Sequence, residues 1–167
     1  GAHPSFFDLE GFGRRKVDLE LNELESIILY QVSALKGITE SYGKKLHHVK
    51  PHGALYNIAS VNDDIAETIV LTIKKIDPNL KLYGPSKMKW KEISKKHKIE
   101  YVSEVFSDRN YNDNLTLVDR NNENSMITEI DNSINHLSRM IENGKVKTIN
   151  KKLIDIDAET ICIHGDQ

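Results

Sequence analysis

The sequence predicts an α/β fold with a parallel sheet, and three observations lead there. Short apolar strands alternate with amphipathic helices along the chain. No strand is followed by a glycine-rich phosphate loop, neither GxGxxG nor GxxxxGK with Ser or Thr. Polar residues gather at the C-terminal end of nearly every strand. The first observation leaves two architectures, an open doubly wound sheet and a barrel. The second weighs against a nucleotide-binding open sheet. The third matches barrel enzymes, which carry their chemistry at those strand ends.

The elements follow in order. Gly1-Ala2-His3-Pro4 reads as the end of a strand. Residues 23–41 place Leu24, Ile27, Ile28, Val32, Leu35 and Ile38 at helical spacing, with Asn22 as N-cap and Gly43 as the stop. Residues 45–50 read as a strand. Asn62 caps a helix over 63–76 whose inner face is Ile65, Ile69, Ile73 and Ile76, and Asp77-Pro78 ends it. A short strand over 80–84 precedes a basic helix, capped by Ser86, that runs to about His97. Its lysines read as a solvated face around Met88 and Ile93. Residues 99–106 form the next strand, and 107–127 a long polar loop. Thr128 caps a helix with Ile130, Ile134, Leu137 and Ile141 inward, stopped by Gly144. Residues 145–157 read as a small hairpin. The last strand, 160–164, has the unbroken apolar centre Ile161-Cys162-Ile163, which suits burial on both faces.

Composition narrows the function classes. The length of 167 residues suggests a single domain over 1–167, and 38% hydrophobic residues suffice for a core. A net charge of −2 implies no pull toward nucleic acid or membrane. One cysteine, Cys162, excludes an internal disulfide framework and fits a reducing cytoplasm. Mid-strand, it reads as a small buried residue, not a nucleophile. No apolar run is long enough for a bilayer, and the first residues do not read as a signal peptide. The chain opens on a strand end without Met, so the expectation is a fragment of a longer protein.

Strand alternation sorts the candidate residues, because residues two apart share a face. His48, Lys50 and His52 project together, with His47 and Val49 opposite and His47 in the packing. Glu104, Phe106 and Asp108 share one face. Cys162, His164 and Asp166 share another. His3 stands at the end of the first strand. Asp108, Asp166 or a histidine could act as general base for water. Lys50 or Arg109 could stabilise an oxyanion or bind a carboxylate. Histidines and carboxylates together could hold a metal ion, whose presence the spacing leaves open. Arg14, in the loop Gly11-Phe12-Gly13-Arg14-Arg15, could clamp an anionic substrate or lie in a solvated turn. His97 and His136 sit on helices and read as surface or packing residues.

The motifs in order are GAHP, DLEGFGRR, LYQVSAL, HHVKPHGALYN, DPNLKLYG, SEVFSDRNY, LVDR and DAETICIHGD. Together they resemble the LamB/YcsF family. The resemblance implies a seven-stranded (β/α) barrel of the glycoside hydrolase and deacetylase type, here incomplete, since five strands are visible. It also implies a bacterial cytoplasmic hydrolase acting on a cyclic amide, as the A subunit of an ATP-dependent 5-oxoprolinase. That enzyme opens 5-oxo-L-proline to L-glutamate with subunits B and C as partners. With no recognisable ATP loop in this chain, ATP would be bound with the partner subunits. On that reading the catalytic candidates are His3, Lys50, His52, Glu104, Asp108, His164 and Asp166. The substrate-binding candidates are Arg14, Tyr56 and Arg109. The alternatives are a metal-dependent deacetylase or carbohydrate hydrolase on the same barrel, and a non-catalytic lactam-binding subunit.

Overall fold

The computed structural model describes residues 1–165, so Asp166 lies outside the described residues. Two compact units divide the chain. The first holds Gly1–Gly84 and Met88–Val102, and the second holds Pro85–Lys87 and the residues from Ser103 onward.

In the first unit, Ala2 bridges Val49 in parallel. Strand β1 (His48–Val49) pairs in parallel with β2 (Lys81–Pro85), His48 against Lys81 and Val49 against Leu82. The amide of Leu82 donates to the Glu100 carbonyl at 2.8 Å, just before β3 (Tyr101–Phe106). Each parallel step needs a crossover helix. These are α1 (Leu21–Ser41), α2 (Gly53–Ala59), α3 (Asp63–Ile76) and α4 (Lys89–Lys96). Helix α3 packs against α1, α2 and α4. Its buried face, Ala66, Ile69, Val70 and Ile73, meets Leu24, Ile28 and Val32 in a closed core.

Helix α3 forms where the sequence places it. The Asn62 side chain accepts from the Ile65 amide at 3.1 Å. Asp63 and Asp64 occupy the first turn, and Lys74 and Lys75 the last, each matched to the helix dipole. Other boundaries shift for local reasons. Helix α1 starts at Leu21 with Glu20 as N-cap, where the Glu23 carboxylate accepts from the Glu20 amide at 3.0 Å. Asn22 is therefore inside the first turn. Helix α4 starts at Lys89, not near Ser86, because the Ser86 hydroxyl is used elsewhere, accepting from the Asp157 amide at 2.7 Å. Its buried anchors are Trp90 and Ser94 rather than Met88 and Ile93. His47 is exposed, outside β1, which corrects its expected place in the packing.

In the second unit, β3 pairs in parallel with β6 (Thr160–Cys162): Glu104 faces Thr160, Val105 faces Ile161 and Phe106 faces Cys162. Between them come a long loop, α5 (Ile130–Asn143) and the antiparallel hairpin of β4 (Lys145–Lys147) and β5 (Leu153–Asp155). Gly144 ends α5 with φ +60°. The N-cap of α5 is Glu129, not Thr128. The expected inner face of α5 is also corrected. Ile130, Ile134 and Ile141 are 76%, 55% and 55% exposed, while His136 and Met140 are buried. Ser133, on that buried side, donates its hydroxyl to the Ser107 carbonyl at 2.9 Å and so fixes which face turns inward. Strand β6 is likewise not enclosed on both faces: Ile161 and Ile163 are 42% and 72% exposed.

Replacing Asn62 by alanine should lower the free energy of unfolding by about 1 kcal/mol, the usual cost of losing an N-cap. Urea denaturation of the purified variant measures it, and an unchanged midpoint would contradict the capping role.

Candidate functional site

The first cluster belongs to the first unit and forms where the chain leaves two neighbouring strands. Pairing between residues 2–4 and β1 continues past the strand itself. The Lys50 amide donates to the Ala2 carbonyl, and the His52 amide to the Pro4 carbonyl, both at 2.9 Å. His3 Nδ1 then meets the Lys50 carbonyl at 2.6 Å, and His3 Nε2 meets His52 Nδ1 at 2.8 Å. His52 Nε2 reaches the Phe12 carbonyl at 2.7 Å. His3 and His52 therefore come together, and both are tied to backbone oxygens.

His48 takes a different course. Its ring stacks on Tyr83 with 4.0 Å between centroids, and its Nδ1 lies 3.0 Å from that of His47. Burial, with the positive charges of His47, Lys50 and His3, lowers its pKa. A neutral, stacked His48 is a packing group.

The turn from Asp8 to Arg15 carries the arginine candidate. Asp8 is its organiser, a residue the sequence reading passed over. The Asp8 carboxylate accepts from the Gly11 amide at 3.0 Å, the Arg15 amide at 3.2 Å and the Arg15 Nε at 2.9 Å. An Asp followed three residues later by Gly is the turn signal that would have found it. The guanidinium of Arg14 lies 5.2 Å from the centre of the Phe12 ring, and Phe12 stands edge-on to His52. The turn seats against the start of α2, where the Ala54 amide donates to the Gly13 carbonyl at 2.9 Å. That seat requires glycine at position 53, which has φ +59° and where a Cβ would come within 2.4 Å of the Gly13 oxygen.

The second cluster belongs to the second unit. Two residues past the paired Phe106 and Cys162, Asp108 and His164 meet. The Asp108 carboxylate accepts from the His164 amide at 2.9 Å and from its Nδ1 at 3.0 Å. The His164 ring also stacks on Phe106, at 5.8 Å between centroids. Burial alone would raise the Asp108 pKa, but the hydrogen bonds from the His164 ring and amide outweigh it and leave it lowered. The carboxylate is thus ionised. Since it can only accept, Nδ1 carries the ring proton of neutral His164, and Nε2 holds the lone pair. This is the arrangement of an oriented imidazole base.

Other candidates serve different ends. Arg109 is 3% exposed, and its guanidinium donates to the carbonyls of Ser125 at 3.2 Å and Val118 at 2.6 Å. It braces the long loop through these two carbonyls. Tyr56 is buried and edge-on to Trp90, 5.9 Å between centroids. Glu104 is buried on β3 opposite Thr160. Cys162 is half-buried, and its carbonyl accepts from the Ser107 amide at 3.1 Å. Among the described residues, no group of three or more His, Cys, Asp or Glu side chains could hold a metal ion. No helix among them is long and apolar enough to cross a membrane.

Known proteins resemble this chain in sequence and fold. The model of the LamB/YcsF family matches residues 1–167. A protein of Bacillus cereus strain 03BB102, named as the A subunit of 5-oxoprolinase, is 42% identical over 167 residues, covering 99% of this chain and 66% of that protein. The same-named protein of Bacillus cytotoxicus is 41% identical over 166 residues, with the same coverage of both chains. The crystal structure of a lactam utilization protein from Thermus thermophilus superposes with a TM-score of 0.89 at 38% identity, over 98% of this chain and 66% of that one. The chain thus spans 66% of the length of the relatives it matches.

Asp8 gives this region an acid sensitivity. The hydrogen bond from Arg15, supported by the Gly11 and Arg15 amides, lowers its pKa from 3.8 to about 2. A carboxylate depressed in the folded state stabilises it fully above the unfolded value and loses that contribution as pH falls through the folded one. Urea unfolding as pH falls from 3.8 to about 2 should therefore show a smaller loss of stability for Asp8→Asn than for the parent chain. Equal losses would contradict the brace.

Proposed function

The chain belongs to the LamB/YcsF family, and on that premise we propose that it serves lactam utilisation as part of the A subunit of an ATP-dependent 5-oxoprolinase. The reaction is opening of the lactam ring of 5-oxo-L-proline to L-glutamate. The framework proposed is the seven-stranded (β/α) barrel of glycoside hydrolases and deacetylases, in the cytoplasm, with subunits B and C as partners. The observation that carries the reading is the Asp108–His164 pair, an ionised carboxylate holding an imidazole by Nδ1 at 3.0 Å.

A five-membered lactam is an unactivated amide, and water attacks it poorly. ATP supplies the missing driving force. The sequence has no glycine-rich phosphate loop, so phosphoryl transfer is assigned to a site made with the partner subunits. This chain's share is the addition of water. His164 Nε2 takes a proton from water as its oxygen bonds to the lactam carbon, and Asp108 stabilises the imidazolium that results. The carbon–nitrogen bond then breaks, His164 returns the proton to the departing nitrogen, and the phosphoryl group that ATP placed on the lactam oxygen stays on the new carboxyl until a second water releases it as phosphate. Asp108 thereby becomes the orienting group and His164 the base. Asp166 stays an alternative base, and Glu104 a reserve acid. Within the first unit, Lys50 is proposed as a cation for negative charge and Arg14 as the ligand of a carboxylate.

Asp108→Asn places an amide against His164 and favours the wrong tautomer. Glutamate formation from 5-oxo-L-proline and ATP, assayed with the partner subunits, should fall by about 10²- to 10⁴-fold with the fold intact by circular dichroism. Undiminished turnover would remove Asp108 from the mechanism. Undiminished turnover in His164→Ala as well would favour a non-catalytic, lactam-binding role for this chain.

A further inference from the structure

Proton accounting in the first cluster leads beyond this reading. Each imidazole has two ring nitrogens, and all four in the His3–His52 pair have partners. His3 Nδ1 lies 2.6 Å from the Lys50 carbonyl and His52 Nε2 lies 2.7 Å from the Phe12 carbonyl. A carbonyl oxygen only accepts, so both outer nitrogens must carry hydrogen. In two neutral rings that leaves the inner nitrogens bare. Yet His3 Nε2 and His52 Nδ1 stand 2.8 Å apart. Two bare nitrogens at that distance would set lone pair against lone pair. Two protonated ones would set N–H against N–H. Only one proton between them makes a hydrogen bond.

We propose that His3 and His52 hold one proton in common, and that this protonated pair is the positioning device for the turn carrying Arg14. The path from proton to turn is short. His52 holds the Phe12 carbonyl, and the Phe12 ring stands edge-on to His52 and 5.2 Å from the Arg14 guanidinium. One residue on, the Gly13 carbonyl takes the Ala54 amide. Loss of the proton breaks the inner contact, loosens His52, and releases one of the two anchors that seat the turn on α2.

Among the described residues, the titratable and charged neighbours His48, Lys50 and Arg14 agree with one proton and not two. His48 and Lys50 lie on the β1 side, and His48 feels the charges of Lys50 and His3. Arg14 lies on the turn side, where the Asp8 carboxylate is taken up by Arg15 and Gly11. Cations on both sides oppose a second proton, while the inner hydrogen bond keeps the first. The pair therefore titrates as one unit.

The inference rests on the reading of Arg14 as the ligand of the substrate carboxylate, and the experiment separates the two. Histidine ring resonances of the purified ¹⁵N-labelled chain are followed between about pH 5 and pH 8, first with EDTA and then with one equivalent of Zn²⁺. One ring proton coupled to both His3 Nε2 and His52 Nδ1 is expected, and it should vanish in His3→Ala. Backbone amides of Gly11 to Arg14 should shift in His3→Ala and return toward the parent values in His3→Gln, whose amide can bond to His52 without charge. Two rings that titrate independently, or Zn²⁺ taking the place of the proton in EDTA-free buffer, overturn the shared proton. Unshifted turn amides overturn the positioning role. In the reconstituted complex His3→Ala should raise KM for 5-oxo-L-proline about tenfold and change kcat little. If the parent complex makes no glutamate, the proposed reaction fails, and the spectra still decide the proton and the turn.

Discussion

Parallel register is the constraint from which both clusters follow. Where two strands run side by side in the same direction, residues equally far beyond a paired position come out beside one another. Phe106 faces Cys162, and two residues further on, Asp108 meets His164. Ala2 bridges Val49, and the ladder carried on by Lys50 and His52 brings His52 to His3. A slip of one residue in either pairing would turn one partner to the opposite face and leave the other alone. The packing of Val49, Leu82 and Val105, each fully buried, holds the register in the two units. The core thus sets the positions of the polar groups although it touches no chemistry.

Much of this was legible before the structure. Alternation put Glu104, Phe106 and Asp108 on one face and Cys162 with His164 on another, and the Phe106 and Asp108 contacts with His164 agree. Helix α3 was readable because cap, end charges and apolar spacing all pointed to the same residues. Helix α5 was not, because two faces competed. Its isoleucines make the stronger apolar stripe, but Ser133 bonds to Ser107 and turns His136 and Met140 inward. That deciding contact lies outside the helix and leaves no mark on its periodicity. The loop contacts of Arg109 were hidden for a similar reason. An arginine after a strand reads as a ligand for anions, and nothing in its own neighbourhood of sequence shows that the loop it opens folds back and offers it two carbonyls.

The turn from Asp8 to Arg15 shows how a site can depend on what is missing. Gly53 has no side chain where the Gly13 carbonyl passes, and its positive φ would strain most other residues. Asp8 contributes the opposite, a carboxylate with several donors that closes the turn on itself. Surface pairs such as Lys89 with Asp63 and Lys96 with Glu67 are well formed, but exposed ion pairs contribute little. The polar contacts that matter to the candidate site are those in which a buried or backbone group fixes the partner.

The histidines of this chain are not interchangeable, and their partners say why. In His164, Nδ1 is committed to Asp108, so Nε2 is left as the basic nitrogen, and the ring suits proton transfer. His48 lies flat against Tyr83 and is kept neutral by burial and by the cations around it, which suits packing. His136 is buried with its Nε2 lacking a partner among the described residues, and burial lowers its pKa to about 4, so it too stays uncharged. In His3 and His52 every ring nitrogen is engaged, two of them on carbonyls and two on each other. A ring with no nitrogen left over is a poor general base for a substrate. What it can do is hold a charge and a shape, and the shape it holds is the turn of Arg14.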